Sequence, residues 1–172
     1  MPDVSTKRIV TPITGEAIRG LRVGDDVLLT GYIYTARDAA HRRLAEAIAR
    51  GEDPPFPFEG NAVFYAGPTD TPPGRVIGAI GPTTSGRVDA YAPDLIARGL
   101  RFMIGKGERS PEVAEAIRRS GGAYFTAIGG VAAIIARRVK SVETVCYGDL
   151  GTEAIRRLFV EDFPVTVEIL GI

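Results

Sequence analysis

Four short segments of the chain gather residues able to grip a small anion or to move a proton. The first is Thr35-Ala36-Arg37-Asp38. A guanidinium meets a carboxylate through two parallel hydrogen bonds, so Arg37 would orient an anion as well as attract it. The helical pattern that follows would add backbone N–H groups favouring the same charge. Arg37 beside Asp38 also fits a plain surface pair. The second segment, Gly81-Pro82-Thr83-Thr84-Ser85-Gly86-Arg87, sets glycines, hydroxyls and an arginine ahead of a helix, the composition of a hydroxyl-lined anion nest. A neutral threonine is a poor base, so proton abstraction at Thr83 requires a neighbouring cation. A turn in which Thr84 or Ser85 caps the helix accounts for the same residues.

The third segment is Gly105-Lys106-Gly107, where flanking glycines allow close backbone approach and Lys106 offers a charge. It lacks the spacing of a phosphate-binding P-loop. The fourth is Gly129-Gly130, either a tight turn or a helix start aimed at a ligand. His41 stands apart. It is the sole histidine and lies within an alanine-rich helical stretch, which suits packing or hydrogen bonding as well as acid–base chemistry.

Each segment follows an expected strand, the edge at which open α/β sheets bind ligands. Strands are expected at Val27–Tyr34, Asn61–Tyr65, Val76–Ile80, Arg101–Ile104, Ala123–Ala127, Val139–Tyr147 and Phe163–Ile169. Helices are expected from Ala36 to Gly51, Asp89 to Gly99, Ser110 to Ser120, after Gly130, and briefly near Leu150–Arg157. Ser110 and Pro111 form a cap and first-turn pair. The alternation after Val76 predicts parallel pairing through helical crossovers. The strand-rich front half points to a mixed architecture, and residues 1–172 are expected to form one domain. Phe56 and Phe58, in a proline-rich loop, would pack on the domain or on a partner.

Composition narrows the function. Lysine plus arginine (21) balances aspartate plus glutamate (21), so no global field draws in nucleic acid or an anionic membrane. No apolar stretch reaches membrane-spanning length and no secretory core is visible, so a cytoplasmic location is expected. One cysteine, Cys146, and one histidine cannot build a zinc or iron–sulfur site from this chain alone. Cys146 reads as a small buried hydrophobe on a strand.

Taken in order, GYIYTARDAAH, YAGPT, IGPTTSGRVD, MIGKG and GDLGTEAIRRLFVEDFPV resemble the β subunit of class I fumarase, and equally the β subunit of L(+)-tartrate dehydratase. The resemblance runs from about Val10 to Pro164. It implies a swivelling β/β/α domain with a mixed, partly parallel sheet, closing over an oxygen-sensitive [4Fe–4S] cluster held by an α subunit and not by this chain. The reaction implied is reversible hydration of fumarate to malate, or dehydration of tartrate to oxaloacetate, in a heterodimer or α2β2 assembly. On the matched motifs, Arg37 and Arg87 resemble carboxylate ligands, Thr83 the proposed base, and Lys106 the lysine that assists it. Thr84 falls among the substrate-binding positions; Asp38 and His41 lie within matched motifs without an assigned role. A stand-alone dicarboxylate-binding module that kept the fold is the non-catalytic alternative.

Overall fold

The computed structural model describes residues 6–127 and 132–171. Its chain order begins with strand β1 (Lys7–Val10), helix α1 (Gly15–Arg19), strand β2 (Asp26–Thr35), helix α2 (Asp38–Ala49) and strand β3 (Ala62–Phe64). A 3₁₀ turn at Ser85–Val88 leads to helix α3 (Ala92–Ala97), strand β4 (Phe102–Gly105), helix α4 (Pro111–Ser120) and strand β5 (Ala123–Thr126). Helix α5 (Ala132–Ala136), strand β6 (Val139–Cys146), a 3₁₀ turn at Gly148–Glu153 and strand β7 (Ile155–Leu170) complete it.

The sheet is mixed. β1, β2, β3, β4 and β5 pair in parallel along that order, whereas β7 runs antiparallel to β2, β5 and β6. Because β7 bonds both β5 and β2, the pairings β2–β3–β4–β5–β7–β2 form a closed circuit. Alternation along the strands then separates two cores. Ala62, Phe64, Phe102, Ile104, Ala123 and Phe125 turn inward onto Leu29, Ile33, Leu158 and Phe163. Val63, Tyr65, Met103 and Tyr124 turn outward and pack under Leu44, Leu95, Val113 and Ile117 of α2, α3 and α4.

Local chemistry explains the best-defined helix. Ser110 accepts a hydrogen bond from the Val113 N–H, Pro111 occupies the first turn, and Gly121 ends α4 in the left-handed conformation at φ 75°. Phe56 and Phe58 are buried within the chain, with Phe56 stacked on Tyr34 at 4.1 Å.

Three sequence expectations need correction. Val76–Ile80 forms no strand. Ile77 and Ile80 still bury their side chains, but Gly78 lies so close to the Thr69 and Asp70 carbonyls that even a Cβ would clash. The region near Leu150–Arg157 is a 3₁₀ turn to Glu153 followed directly by a strand, and Phe163–Ile169 is only the later part of that strand. The parallel alternation also stops at β5, because β6 and β7 form an antiparallel pair. Arg156 and Arg157 hid the start of β7. Arg157 sits over the Tyr32 ring at 4.3 Å and pairs with Glu143, so its charge is spent across strands.

Candidate active site at the ends of the parallel strands

The parallel strands β2, β3, β4 and β5 deliver their C-terminal ends to one edge of the sheet, and the first three sequence segments meet there. From β2 the chain continues through Ala36, whose N–H donates to the Phe64 carbonyl at 3.0 Å. Tyr65, just past β3, donates to the Ile104 carbonyl and accepts from the Thr83 N–H at 2.7 Å. Thr83 in turn accepts from the Lys106 N–H at 3.3 Å, and the Ser85 N–H donates to the Lys106 carbonyl at 2.9 Å. Thr84 and Lys106 are thus partners in an isolated parallel bridge. Residues separated by more than twenty positions become strand neighbours.

The bridge sorts the hydroxyls by face, because successive side chains in extended backbone alternate. Thr84 and Lys106, in register, are both exposed. Thr83 is half-buried and its hydroxyl donates to the Tyr65 carbonyl at 2.9 Å. Ser85 is fully buried. Arg87 lies in the 3₁₀ turn with its side chain exposed. The Gly105-Lys106-Gly107 pattern acquires physical reasons here. A Cβ on Gly105 would lie 2.0 Å from the Ser85 Oγ, and Gly107 has φ +82°.

Arg37 is the N-cap of α2 and not a member of its first turn. Its Cδ lies against Gly67, where a Cβ would stand 3.0 Å away, and its Nε is buried without a hydrogen-bond partner among the described residues. The helix start expected to hold an anion already has one. Glu153, arriving from the Gly148–Glu153 turn, accepts from the Ala39 N–H at 3.2 Å. Asp38 lines a cleft of about 550 Å³ beside Arg43, Leu150 and Glu153, and its Oδ1 is buried without a partner among the described residues.

His41 does not reach the open face. It is buried, edge-on to the Tyr65 ring at 5.2 Å, with Nδ1 2.9 Å from the Arg37 carbonyl. A carbonyl only accepts, so Nδ1 carries the proton in that contact. Burial pulls the ring's pKa from 6.5 down to about 4, against the opposing effect of the Arg37 carbonyl. His41 is therefore a neutral group bracing the backbone at Arg37. Gly129-Gly130 lies outside the described residues.

A buried network beneath the bridge was missed by sequence reasoning. Arg109, whose side chain is 0% exposed, pairs with Asp89 through Nε at 2.7 Å and donates to the Tyr65 hydroxyl at 3.2 Å. Its guanidinium also lies over the rings of Tyr65 and Tyr124, at 5.1 and 4.8 Å. Asp89 accepts in addition from the Ser110 N–H at 2.7 Å. Both residues sit in polar-looking loop sequence, and only a residue-pair signal across twenty positions would have linked them.

Among the described residues, no carboxylate lies within ion-pair range of Arg37, Arg87 or Lys106. These three cations are thus left without a carboxylate partner among the described residues, as an anion-binding role requires. A family model described as the fumarase C-terminus matches residues 3–170 of the chain.

The chain belongs to the fumarase C-terminus family.

Relatives of this family member include the aerobic class I fumarate hydratase of Escherichia coli K12, 44% identical over 141 residues, covering 81% of this chain and 26% of that protein. Fumarate hydratase 2 of Leishmania major is 39% identical over 149 residues, covering 86% of this chain and 26% of its own length. A Methanocaldococcus jannaschii protein provisionally named L(+)-tartrate dehydratase subunit beta is 36% identical over 156 residues, covering 88% of this chain and 80% of its own. The chain thus spans about a quarter of the length of these fumarate hydratases. Such enzymes are hydro-lyases. The chain's one cysteine, Cys146, lies at the partly exposed end of β6, and no group of three or more His, Cys, Asp or Glu able to hold a metal occurs among the described residues. No helix among them is long and apolar enough to cross a membrane.

Proposed function

We propose that this chain is the β half of a class I fumarate hydratase, completing with an Fe–S-bearing α subunit a site that reversibly hydrates fumarate to (S)-malate. The observation that carries the reading is the Thr84–Lys106 bridge, which sets Thr83, Arg87 and Lys106 on adjoining backbone at the edge where Arg37 emerges. The [4Fe–4S] cluster is assigned to the partner. The closed, mixed sheet with α2, α3 and α4 packed outside it suits a single swivelling β/β/α domain in a heterodimer or α2β2 complex, and a cytoplasmic location fits an enzyme of this kind.

The roles of this chain's residues follow from their chemistry. Arg37 and Arg87 bind the two carboxylates and hold the dicarboxylate in one orientation. Charge developing on the carboxylate next to the reacting carbon is stabilised by the same guanidinium groups. Thr83 takes the proton from that carbon. At rest its hydroxyl donates to the Tyr65 carbonyl, and it accepts as the alkoxide once that proton has passed to solvent. Lys106, on the bonded neighbouring backbone, supplies the positive charge that stabilises this alkoxide, since a neutral threonine hydroxyl is too weak a base. Thr84, in register with Lys106, hydrogen-bonds a carboxylate oxygen in this scheme.

The test is anaerobic reconstitution of the chain with a cluster-bearing α subunit, followed by assays with fumarate, malate and L(+)-tartrate. Thr83→Ala should lower kcat by about 10²–10⁴-fold, the usual range for loss of a general base. Arg87→Ala should instead raise KM strongly. Turnover of tartrate alone moves the assignment to the second reading, L(+)-tartrate dehydratase, which the 80% coverage of a β-subunit relative favours. Dicarboxylate binding with no turnover of any of the three acids supports the non-catalytic module.

A further inference from the structure

Below the Thr84–Lys106 bridge, hydroxyl groups with no part in the scheme above tie the two site loops together. The Tyr124 hydroxyl, from β5, donates to the Gly107 carbonyl at 2.8 Å. A phenol has one hydrogen, so the 2.7 Å contact between Tyr124 and Ser85 must be donated by the Ser85 Oγ. The Ser85 N–H donates to the Lys106 carbonyl. Lys106 is therefore flanked by two fastened carbonyls, its own and that of Gly107, and both lead back through Ser85 and Tyr124.

Everything around this chain of bonds is tight. Ser85 and Tyr124 are fully buried. The space for the Ser85 hydroxyl exists only because Gly105 has no side chain. Arg109 lies over the Tyr124 ring and is itself anchored by Asp89. Burial pushes the Tyr124 hydroxyl up to about 12, so it stays a donor across the physiological range.

We propose that the Tyr124 hydroxyl, acting with Ser85, is a positioning device that fixes Lys106 relative to Thr83. Neither residue touches substrate. The pair sets the register of the loop that carries the proton acceptor against the loop that carries its cation. The inference rests on the hydro-lyase reading for its consequence in catalysis, though not for the hydrogen bonds themselves.

Two variants remove single oxygens. Tyr124→Phe deletes both contacts of the phenol, and Ser85→Ala, the milder change, leaves the Tyr124–Gly107 bond in place. In the reconstituted complex each should lower kcat roughly ten- to hundredfold, the loss expected from slight misplacement of reacting groups. KM should stay within about threefold, because the carboxylate grip lies with Arg37 and Arg87. In the full chain, amide hydrogen exchange followed by NMR should quicken about tenfold at Ser85 and Lys106 and remain unchanged in α4.

An unchanged kcat in both variants overturns the proposal, as does exchange that quickens evenly along the chain, which would mark a merely structural role. Should the unaltered complex convert none of the three acids, the hydro-lyase reading fails by itself. The device is then judged on exchange, and unaltered protection at Ser85 and Lys106 refutes it.

Discussion

Replacing Asp89 with asparagine tests the buried pair beneath the site. The substitution keeps the side chain's shape and removes its charge. Arg109 would then remain with 0% side-chain exposure and no countercharge, facing a neutral amide, the Tyr65 hydroxyl at 3.2 Å, a long contact to the Met103 sulfur and two ring faces. Breaking a buried ion pair from one side leaves an uncompensated charge and costs about 3–5 kcal/mol. A chain of this length loses about 2–4 °C of thermal midpoint per kcal/mol, so Asp89→Asn should melt roughly 6–20 °C lower. Urea unfolding at an unchanged m-value should give the same loss as free energy. The double variant Asp89→Asn/Arg109→Met removes the stranded charge and should recover a large part of the deficit, since the penalty comes from the lone cation. A loss below about 1 kcal/mol for the single variant, or strict additivity in the double, refutes the reasoning.

His41 gives a pH signature. Its folded-state pKa of about 4 lies below the ordinary 6.5, so below 6.5 the unfolded chain takes up a proton that the folded chain refuses. Stability present above pH 6.5 is lost as the pH falls towards 4, amounting to about 3 kcal/mol for this group. Subtracting the profile of His41→Gln from that of the parent chain should expose that slope, and a flat difference between pH 7 and 4 would contradict it. Gly105→Ala should destabilise by about 1–3 kcal/mol, because its methyl meets the Ser85 Oγ and the Tyr65 ring. Gly107→Ala meets open space and should cost no more than about 1–2 kcal/mol, for its left-handed backbone alone. Equal melting losses at the two glycines would show that Ser85 does not fill the place of the Gly105 side chain.

The parallel half of the fold was legible because its strands are short, apolar and punctuated. Val27, Leu29 and Ile33 alternate inward along β2, and Ser110, Pro111 and Gly121 mark both ends of α4. The antiparallel half was not. Arg156 and Arg157 open β7 with charges, Arg156 bonded to the Gly151 carbonyl of the preceding turn and Arg157 to Glu143 on β6, and no local pattern displays a cross-strand pair. The candidate site divides in the same way. Arg37, Thr83, Arg87 and Lys106 stand out as chemical types beside glycines. Asp89 and Arg109 are indistinguishable in sequence from surface residues, and only the fold shows that they pair against the Tyr124 ring.

The closed circuit of strands also dictates an order of assembly. β7 makes the closing contacts to β2 and β5, and it follows both of them along the chain. Its bond from Thr166 to Asp26 joins positions 140 apart. Until residues beyond Ile155 are available, the bonding edges of β2 and β5 have no mate, and unpaired edges recruit strands from other chains. Such long-range closure is slow. The fold is thus most vulnerable to aggregation while β2 and β5 have been made and β7 has not, and a nascent chain stalled before Ile155 would be a substrate for chaperones.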